Sequence, residues 1–248
     1  MKTINPKLLM KYLIYKVLWT TSFQRRIEWP IILNWAQPNK NERILDIACG
    51  DGALSLKIAE RTGTIYSIDT SQTAINEAKS LSQKLKIHSH FVVGDAEKLP
   101  YPNSFFDKIV CSSSLEHFGD DLKALREMNR VLKPRGKLVL TVDSFTAPMA
   151  AKTKEKHKLV SKVINFYTLA TLNDRFKLAG FETARSRHIL STATASFFIA
   201  GTVNLSGVAY DLASLLAYPF VSLAEKATRN QDVGFTIIAE GIVKKGDI

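Results

Sequence analysis

Leu45-Asp46-Ile47-Ala48-Cys49-Gly50-Asp51-Gly52 runs from a short apolar strand into two closely spaced glycines, and a helical segment follows from Ala53. Glycine adopts backbone angles closed to other residues and, lacking a Cβ, lets a ligand lie against the main chain. Dinucleotide-binding folds use a similar turn after the first strand of a parallel sheet. Here Ser55 stands where their third glycine would be, and no Walker lysine follows, which disfavours a nucleoside triphosphate cradle. Asp69, 19 positions beyond Gly50, ends the next strand-like run, at the distance where a carboxylate meets ribose hydroxyls. Asp95, in Gly94-Asp95-Ala96, follows the third run. All three features fall at the carboxyl ends of successive strands and describe a site for a nucleoside without a phosphate chain.

Outward from this stretch, short β-rich runs alternate with helical ones. Strands are predicted over Arg43–Ile47, Thr64–Asp69, Ser89–Gly94, Phe106–Ser112, Lys137–Asp143, Phe181–Ile189 and Gly234–Val243. Helices are predicted at Ala53–Arg61, Thr73–Leu85 behind Ser71 as N-cap, Leu122–Leu132 before Pro134, Ala151–Val163 and Leu169–Ala179. The expected fold is α/β: a doubly wound, Rossmann-like, seven-stranded and mostly parallel sheet with an antiparallel edge strand. N-terminal helices precede it, and a helical insertion precedes the last strand. Residues 1–40 are expected as a helical cap and 41–248 as the main domain, with 190–229 as a hydrophobic insertion.

The ordered motifs resemble those of the class I S-adenosylmethionine-dependent methyltransferases, in particular the type 11 group. Asp46 to Gly52 resembles the first motif of that family, Asp69 its ribose-binding acid and Asp95-Ala96 its adenine-edge motif. Leu99-Pro100-Tyr101 with Ser104 to Asp107, and Glu127 to Gly136, resemble the segments flanking the fourth and fifth strands. The likeness covers Arg43–Asp143, and more weakly Phe176–Phe181. Arg135 departs from it, standing where the family usually has a glycine. The resemblance implies S-adenosyl-L-methionine as cofactor. Asp46 would organise the glycine loop, Ala48, Gly50 and Gly52 would admit the cofactor, and Asp69 would hold the ribose. Asp95 and Ala96 would meet the adenine, and Ser112 would line the methionine end. No metal is implied.

Methyl transfer requires alignment above all, and a base only where the acceptor must lose a proton. His117, in Leu115-Glu116-His117-Phe118 after the fourth strand, is the candidate catalytic base, and it reads equally as a pocket-lining residue. Asp143 is a weaker candidate. Cys49 and Cys111 read as small residues beside the pocket, not as nucleophiles, and His88 and His90 as structural.

With 46% hydrophobic and 23% charged residues among 248, the composition excludes a disordered or collagen-like chain. The net charge of +11 lies outside the cofactor core: +6 in residues 1–40, zero in 41–143 and +5 in 144–248. Lys152, Lys154, Lys156, Lys158 and Lys162 sit beside the nearly uncharged stretch from Leu190 to Ala224. That pairing suggests an acceptor that is a hydrophobic small molecule or lipid, and peripheral contact with an anionic membrane. The apolar residues of the insertion are expected to roof the acceptor pocket. Lys7 and Lys11 share one helical face.

The alternatives are an RNA or other nucleic-acid methyltransferase using the basic flanks, and a non-catalytic cofactor-binding module. Cys111-Ser112-Ser113-Ser114 lacks the Asn/Asp-Pro-Pro-aromatic motif of amino-directed nucleic-acid enzymes, which argues against the first. Two cysteines suit a reducing cytoplasmic location, peripheral on the cytoplasmic membrane face. Lys11 and Lys16 interrupt the apolar run Leu8–Trp19, so no cleaved export signal is expected. Ile189–Tyr210 is too rich in Ser and Thr to cross a bilayer.

Overall fold

The computed structural model describes residues 6–144, 146–147, 150–228 and 232–244, without the side chains of residues 6–9 and 11. The expectation for Lys7 and Lys11 therefore lies outside the described residues. Two helices, α1 (Pro6–Val17) and α2 (Phe23–Ala36), precede the sheet. Then follow β1 (Ile44–Ile47), α3 (Ala53–Thr62), β2 (Tyr66–Asp69), α4 (Gln72–Leu85), β3 (His90–Val93) and β4 (Phe106–Ser112). A 3-10 turn at Leu115–His117 leads to α5 (Asp121–Val131), β5 (Leu132–Asp143), α6 (Ala151–Ser161), α7 (Leu169–Leu178) and β6 (Phe181–Ile189). Two helices, α8 (Ala193–Thr202) and α9 (Gly207–Ala227), stand between β6 and the last strand, β7 (Thr236–Val243).

The strands form one sheet in the order β3-β2-β1-β4-β5-β7-β6. Neighbours are parallel except for β7, which runs antiparallel to both β5 and β6. The central strand β1 is buried at every position because both faces of the sheet are covered there. Leu45 and Ile47 of β1 join one core cluster with Met128 and Phe176, while Ile44 joins another with Leu56 and Ile75. Side-chain caps fix the helix starts: Ser71 accepts from the Ala74 N–H at 3.2 Å, and Asp120 from that of Lys123 at 2.9 Å. Each helix thus begins just beyond the end of its strand, which gathers the loops at the carboxyl edge of the sheet.

Two segments depart from the sequence reading. The helix before Pro134 stops at Val131 and β5 begins at once at Leu132, five residues before the expected Lys137. Phe106 pairs with Leu132 and Lys108 with Lys137, so the Lys133–Gly136 stretch is an irregularity within the strand, turned by Arg135 at φ 64°. Within the expected insertion, residues 190–228 hold two helices, broken at Val203–Ser206 before Gly207 at φ 55°. By length and composition α9 is apolar enough to cross a membrane, a window that begins near the end of the Ile189–Tyr210 stretch and extends beyond it.

Candidate active site

The glycine turn is held by three of its backbone N–H groups. The Cys49 N–H donates to the Ile68 carbonyl at 3.1 Å, that of Gly52 to the Cys49 carbonyl at 3.0 Å, and that of Gly50 to Asp69 Oδ2 at 2.8 Å. Ala48, Gly50 and Gly52 all take positive φ, at 54°, 54° and 80°. At Gly52 the Cβ of any other residue would fall 2.8 Å from Ala78 Cβ and 2.9 Å from Phe91 Cζ; at Gly50 it would meet nothing within 4 Å. One glycine is therefore required by packing of the turn on α4 and β3, and the other leaves open the cavity it lines.

Asp46 is buried beneath this turn and accepts a short hydrogen bond from Ser55 Oγ. Burial pushes its carboxyl up to about 7, with the charge of Asp69 adding to the rise and the Ser55 bond opposing it. Ser55, at the third-glycine position, thus serves as the partner of Asp46. Asp69 uses Oδ2 for Gly50 and Oδ1 for the Ser71 N–H at 2.8 Å, tying the turn to the start of α4. A carboxylate oxygen accepts more than one bond, so this leaves Asp69 capacity for ribose hydroxyls. Asp95 is exposed and accepts from the Glu97 N–H through Oδ1 at 2.9 Å, while Ala96 is buried beside it.

Two cavities flank Ala48. One, about 390 Å³, is lined by Asp69, Gly94, Asp95, Ala96, Phe118 and His117 among others. The other, about 280 Å³, is lined by Asp46, Gly50, Asp51, Ser112, Trp29 and Arg25 among others. The first brings together the residues expected at adenosine and the second those expected at methionine. Ser112 Oγ faces α2 and accepts from Trp29 Nε1 at 3.0 Å. The residues fit the cofactor: an acid for the ribose, an acid and a buried alanine for the base edge, and an open backbone at Gly50. Cys49 lines the second cavity with its thiol pushed up by burial and by Asp46 and Asp69, and Cys111 is buried. Neither is poised as a nucleophile.

A third cavity, about 430 Å³, opens beyond Ser113 and Arg25, residues it shares with the methionine-side cavity. Its walls are polar. Glu28 of α2 is buried, accepting from Ser113 Oγ at 2.9 Å and from Thr141 and Thr236 Oγ1 at 3.4 Å each. Burial pushes Glu28 up to about 7, opposed by the Ser113 bond and assisted by the charge of Asp143. Glu116 is buried too, its carboxyl raised by burial and by Asp143, and its Oε2 has no hydrogen-bond partner among the described residues. Asp143, at the end of β5, lies 2.8 Å from His157 Nε2 of α6. Tyr210 and Asp211 complete the wall from α9.

His117 is exposed at the junction of this cavity with the adenosine-side one, its Nδ1 3.3 Å from the Lys162 carbonyl. Sequence reasoning did not find Arg25, Glu28, Trp29 or His157. The only signal was Glu28 itself, the one acid in the first 40 residues, set among Trp and Ile. The apolar roof expected from the insertion does not form: α9 gives the cavity Tyr210 and Asp211, while Val208, Leu212 and Leu216 are exposed. Satisfying the polar groups of α2 requires the hydroxyls of α9. Ser22 Oγ bonds Tyr210 at 3.2 Å, and the Phe23 N–H donates to Ser214 Oγ at 3.3 Å, which turns the apolar side away. His88 and His90 are far from these cavities, on Thr64 and Tyr66 respectively.

Among the described residues no group of His, Cys, Asp and Glu is arranged to hold a metal ion. Residues 38–192 match the methyltransferase domain family, and the chain belongs to it, as a class I S-adenosylmethionine-dependent methyltransferase. Its curated relatives include the ubiquinone/menaquinone biosynthesis C-methyltransferase UbiE of Coxiella burnetii, 36% identical over 118 residues, 46% of each chain. The UbiE of Rickettsia bellii is 32% identical over 159 residues, 61% of this chain and 56% of that one. The chain thus matches about half the length of these relatives. Geranyl diphosphate C-methyltransferase from Streptomyces coelicolor shares the fold, with a TM-score of 0.68 at 12% identity over 88% of this chain and 79% of that one.

Proposed function

We propose that this chain methylates a carbon or oxygen of a neutral, hydroxyl-bearing small molecule with an apolar portion, a phenol or enol. The observation that carries the reading is the junction at Ser113 and Arg25. There the candidate cofactor cleft shares its wall with a cavity bearing two raised carboxyls and the Asp143–His157 pair. The curated relatives named for quinone biosynthesis support this acceptor class.

The cofactor, when bound, supplies an electrophilic methyl group on a sulfonium. Gly50, Asp69 and Asp46 hold and orient it, while Trp29 and Arg25 of α2 cover the methionine side. Burial raises the carboxyls of Glu28 and Glu116 toward their protonated forms, in which they can donate a hydrogen bond to the polar end of the acceptor. The proton leaving a phenolic or enolic acceptor passes to the Asp143–His157 pair.

The test is labelled-methyl transfer to fractionated extract with wild type and His157→Gln. Label is expected in the organic-soluble fraction. The variant should lose at least about tenfold in kcat with cofactor affinity unchanged, within the range general bases contribute. Label in RNA, or an unchanged kcat in both His157→Gln and Asp143→Asn, would refute the assignment.

A further inference from the structure

The outer side of α9 carries a row of large apolar side chains that no described residue covers. Val208, Leu212, Leu216, Phe220 and Leu223 are 58–74% exposed. At about 100° per residue they span an arc of about 120°. Ser214, Ala217 and Val221 lie on the opposite side and are buried. Phe197 of α8, 72% exposed, extends the row through Phe198, which stacks on Phe220 at 6.1 Å. Contiguous exposed apolar surface of this kind marks an interaction site.

Although α9 has the length and hydropathy of a membrane-crossing helix, it is fastened flat on the protein. Thr21 Oγ1 donates to Asp211 at 2.7 Å near one end, and Glu225 accepts the Thr192 N–H at 3.0 Å near the other. A helix held this way offers one side only, along about 30 Å. That is the presentation of a helix lying in a membrane interface, not across it.

Cationic groups stand at both ends of the row. Near its C-terminal end a cavity of about 560 Å³, separate from the cofactor cleft, is lined by Arg26, Arg187, Lys226 and Tyr218, with Ile27 and Ile31. Arg26 lies over the Tyr218 ring at 3.7 Å and Arg187 is 6.0 Å from that of Trp35. None of the three cations pairs with a carboxylate among the described residues, and Glu225, the acid lining the cavity, serves Thr192. At the other end, Tyr210 and Asp211 border the acceptor-side cavity together with α6, where Lys152, Lys156, Lys158 and Lys162 are exposed.

We infer that this face seats on an anionic phospholipid bilayer, with the α9 row in the acyl boundary and the Arg26–Arg187–Lys226 cavity receiving a lipid phosphate. The charge complementarity selects an anionic lipid surface over a neutral apolar partner. A lipid-soluble acceptor would then reach the cavity at Tyr210 and Asp211 from the bilayer. That last step rests on the proposed function; the seating does not, and vesicle binding is read without cofactor or acceptor.

The experiment is flotation of the full chain with phosphatidylcholine vesicles, with and without phosphatidylglycerol, at low and high salt. Wild type should float with the anionic vesicles and lose binding as salt rises. Leu216→Asp with Leu223→Asp should weaken partitioning at least about tenfold on both vesicle types, as two apolar anchors are replaced by charge. Arg187→Gln with Lys226→Gln should remove at least about tenfold of the anionic preference and leave phosphatidylcholine binding unchanged. Unaltered circular dichroism and cofactor binding keep both variants interpretable. Failure of wild type to float with anionic vesicles, or equal flotation of the leucine variant, overturns the inference. So does a wild-type dimer that the leucine variant abolishes, which would assign the row to a second copy of the chain.

Discussion

Exchanging either glycine of the cofactor turn for alanine separates its two roles. Both residues have positive φ, which costs a residue with a Cβ about 1–2 kcal/mol. A smaller unfolded-state entropy returns about 0.4–1 kcal/mol of that. At Gly50 nothing further is added, because the new Cβ meets no atom within 4 Å. At Gly52 the methyl would stand 2.8 Å from Ala78 Cβ on α4 and 2.9 Å from the ring of Phe91 on β3, and neither is the loose end of a flexible chain. Overpacking of this kind costs a further 1–3 kcal/mol or so. Gly52→Ala should therefore lose about 1–4.5 kcal/mol and Gly50→Ala about 1.5 kcal/mol or less. In a domain of this size 1 kcal/mol moves Tm by about 2–4 °C, so the expected falls are roughly 10 °C and at most about 6 °C. Differential scanning calorimetry reads the stability and isothermal titration with S-adenosylmethionine the binding. Gly50→Ala should fold nearly normally yet lose most of its affinity, since its methyl enters the cavity. Equal melting of the two variants, or wild-type affinity in Gly50→Ala, would refute the division.

The cofactor-free protein should lose stability as pH rises between about 4.5 and 7, because the fold raises Glu28 from 4.5 to about 7 and Asp46 from 3.8 to about 7. Protonated carboxyls favour the fold and their ionisation opposes it, by up to about 3 kcal/mol for each buried group; Glu28→Gln should flatten the fall in Tm, and a rise in Tm over this range would contradict the assignment. Asp69→Ala should weaken cofactor binding about a hundredfold, as two hydroxyl bonds to a carboxylate are lost at about 1.5 kcal/mol each, and should lower Tm by freeing the Gly50 N–H; unchanged affinity by titration calorimetry would remove Asp69 from the site. Arg135→Gly should raise Tm by up to about 4 °C, because Arg135 holds φ 64° on an exposed turn; a lower Tm would show that the side chain contributes something the strain estimate omits.

The cofactor half of the site is legible in the sequence because its parts are local. Strand, glycine turn and helix N-terminus are adjacent, and Asp46 within β1, Asp69 at the end of β2 and Asp95 just after β3 are each placed by their strand. The acceptor half is not, because its groups come from α2, the 3-10 turn, β5, α6 and α9. His157 sits in a lysine-rich helix with no buried residues, which reads as a solvated surface until the fold brings it to Asp143. The β5 start was hidden for a different reason. Pro134 and Gly136 signal a turn, and a turn is present, but it lies inside the strand as an irregularity in pairing with β4. The apolar insertion was recognisable as apolar, whereas its facing depends on the Ser22 hydroxyl and the Phe23 N–H at the start of α2, almost 200 positions away.

The bonds of Glu28 to Ser113, Thr141 and Thr236 tie together residues up to 208 positions apart, and β7, which carries Thr236, is inserted between β5 and β6. α2 is made well before the rest of this wall, whose Thr236 contact exists only once β7 lies between β5 and β6. The candidate cofactor half draws on segments close in sequence, whereas the acceptor half needs contacts that span most of the described residues. Closing loops of that length makes the acceptor half the slower of the two to form.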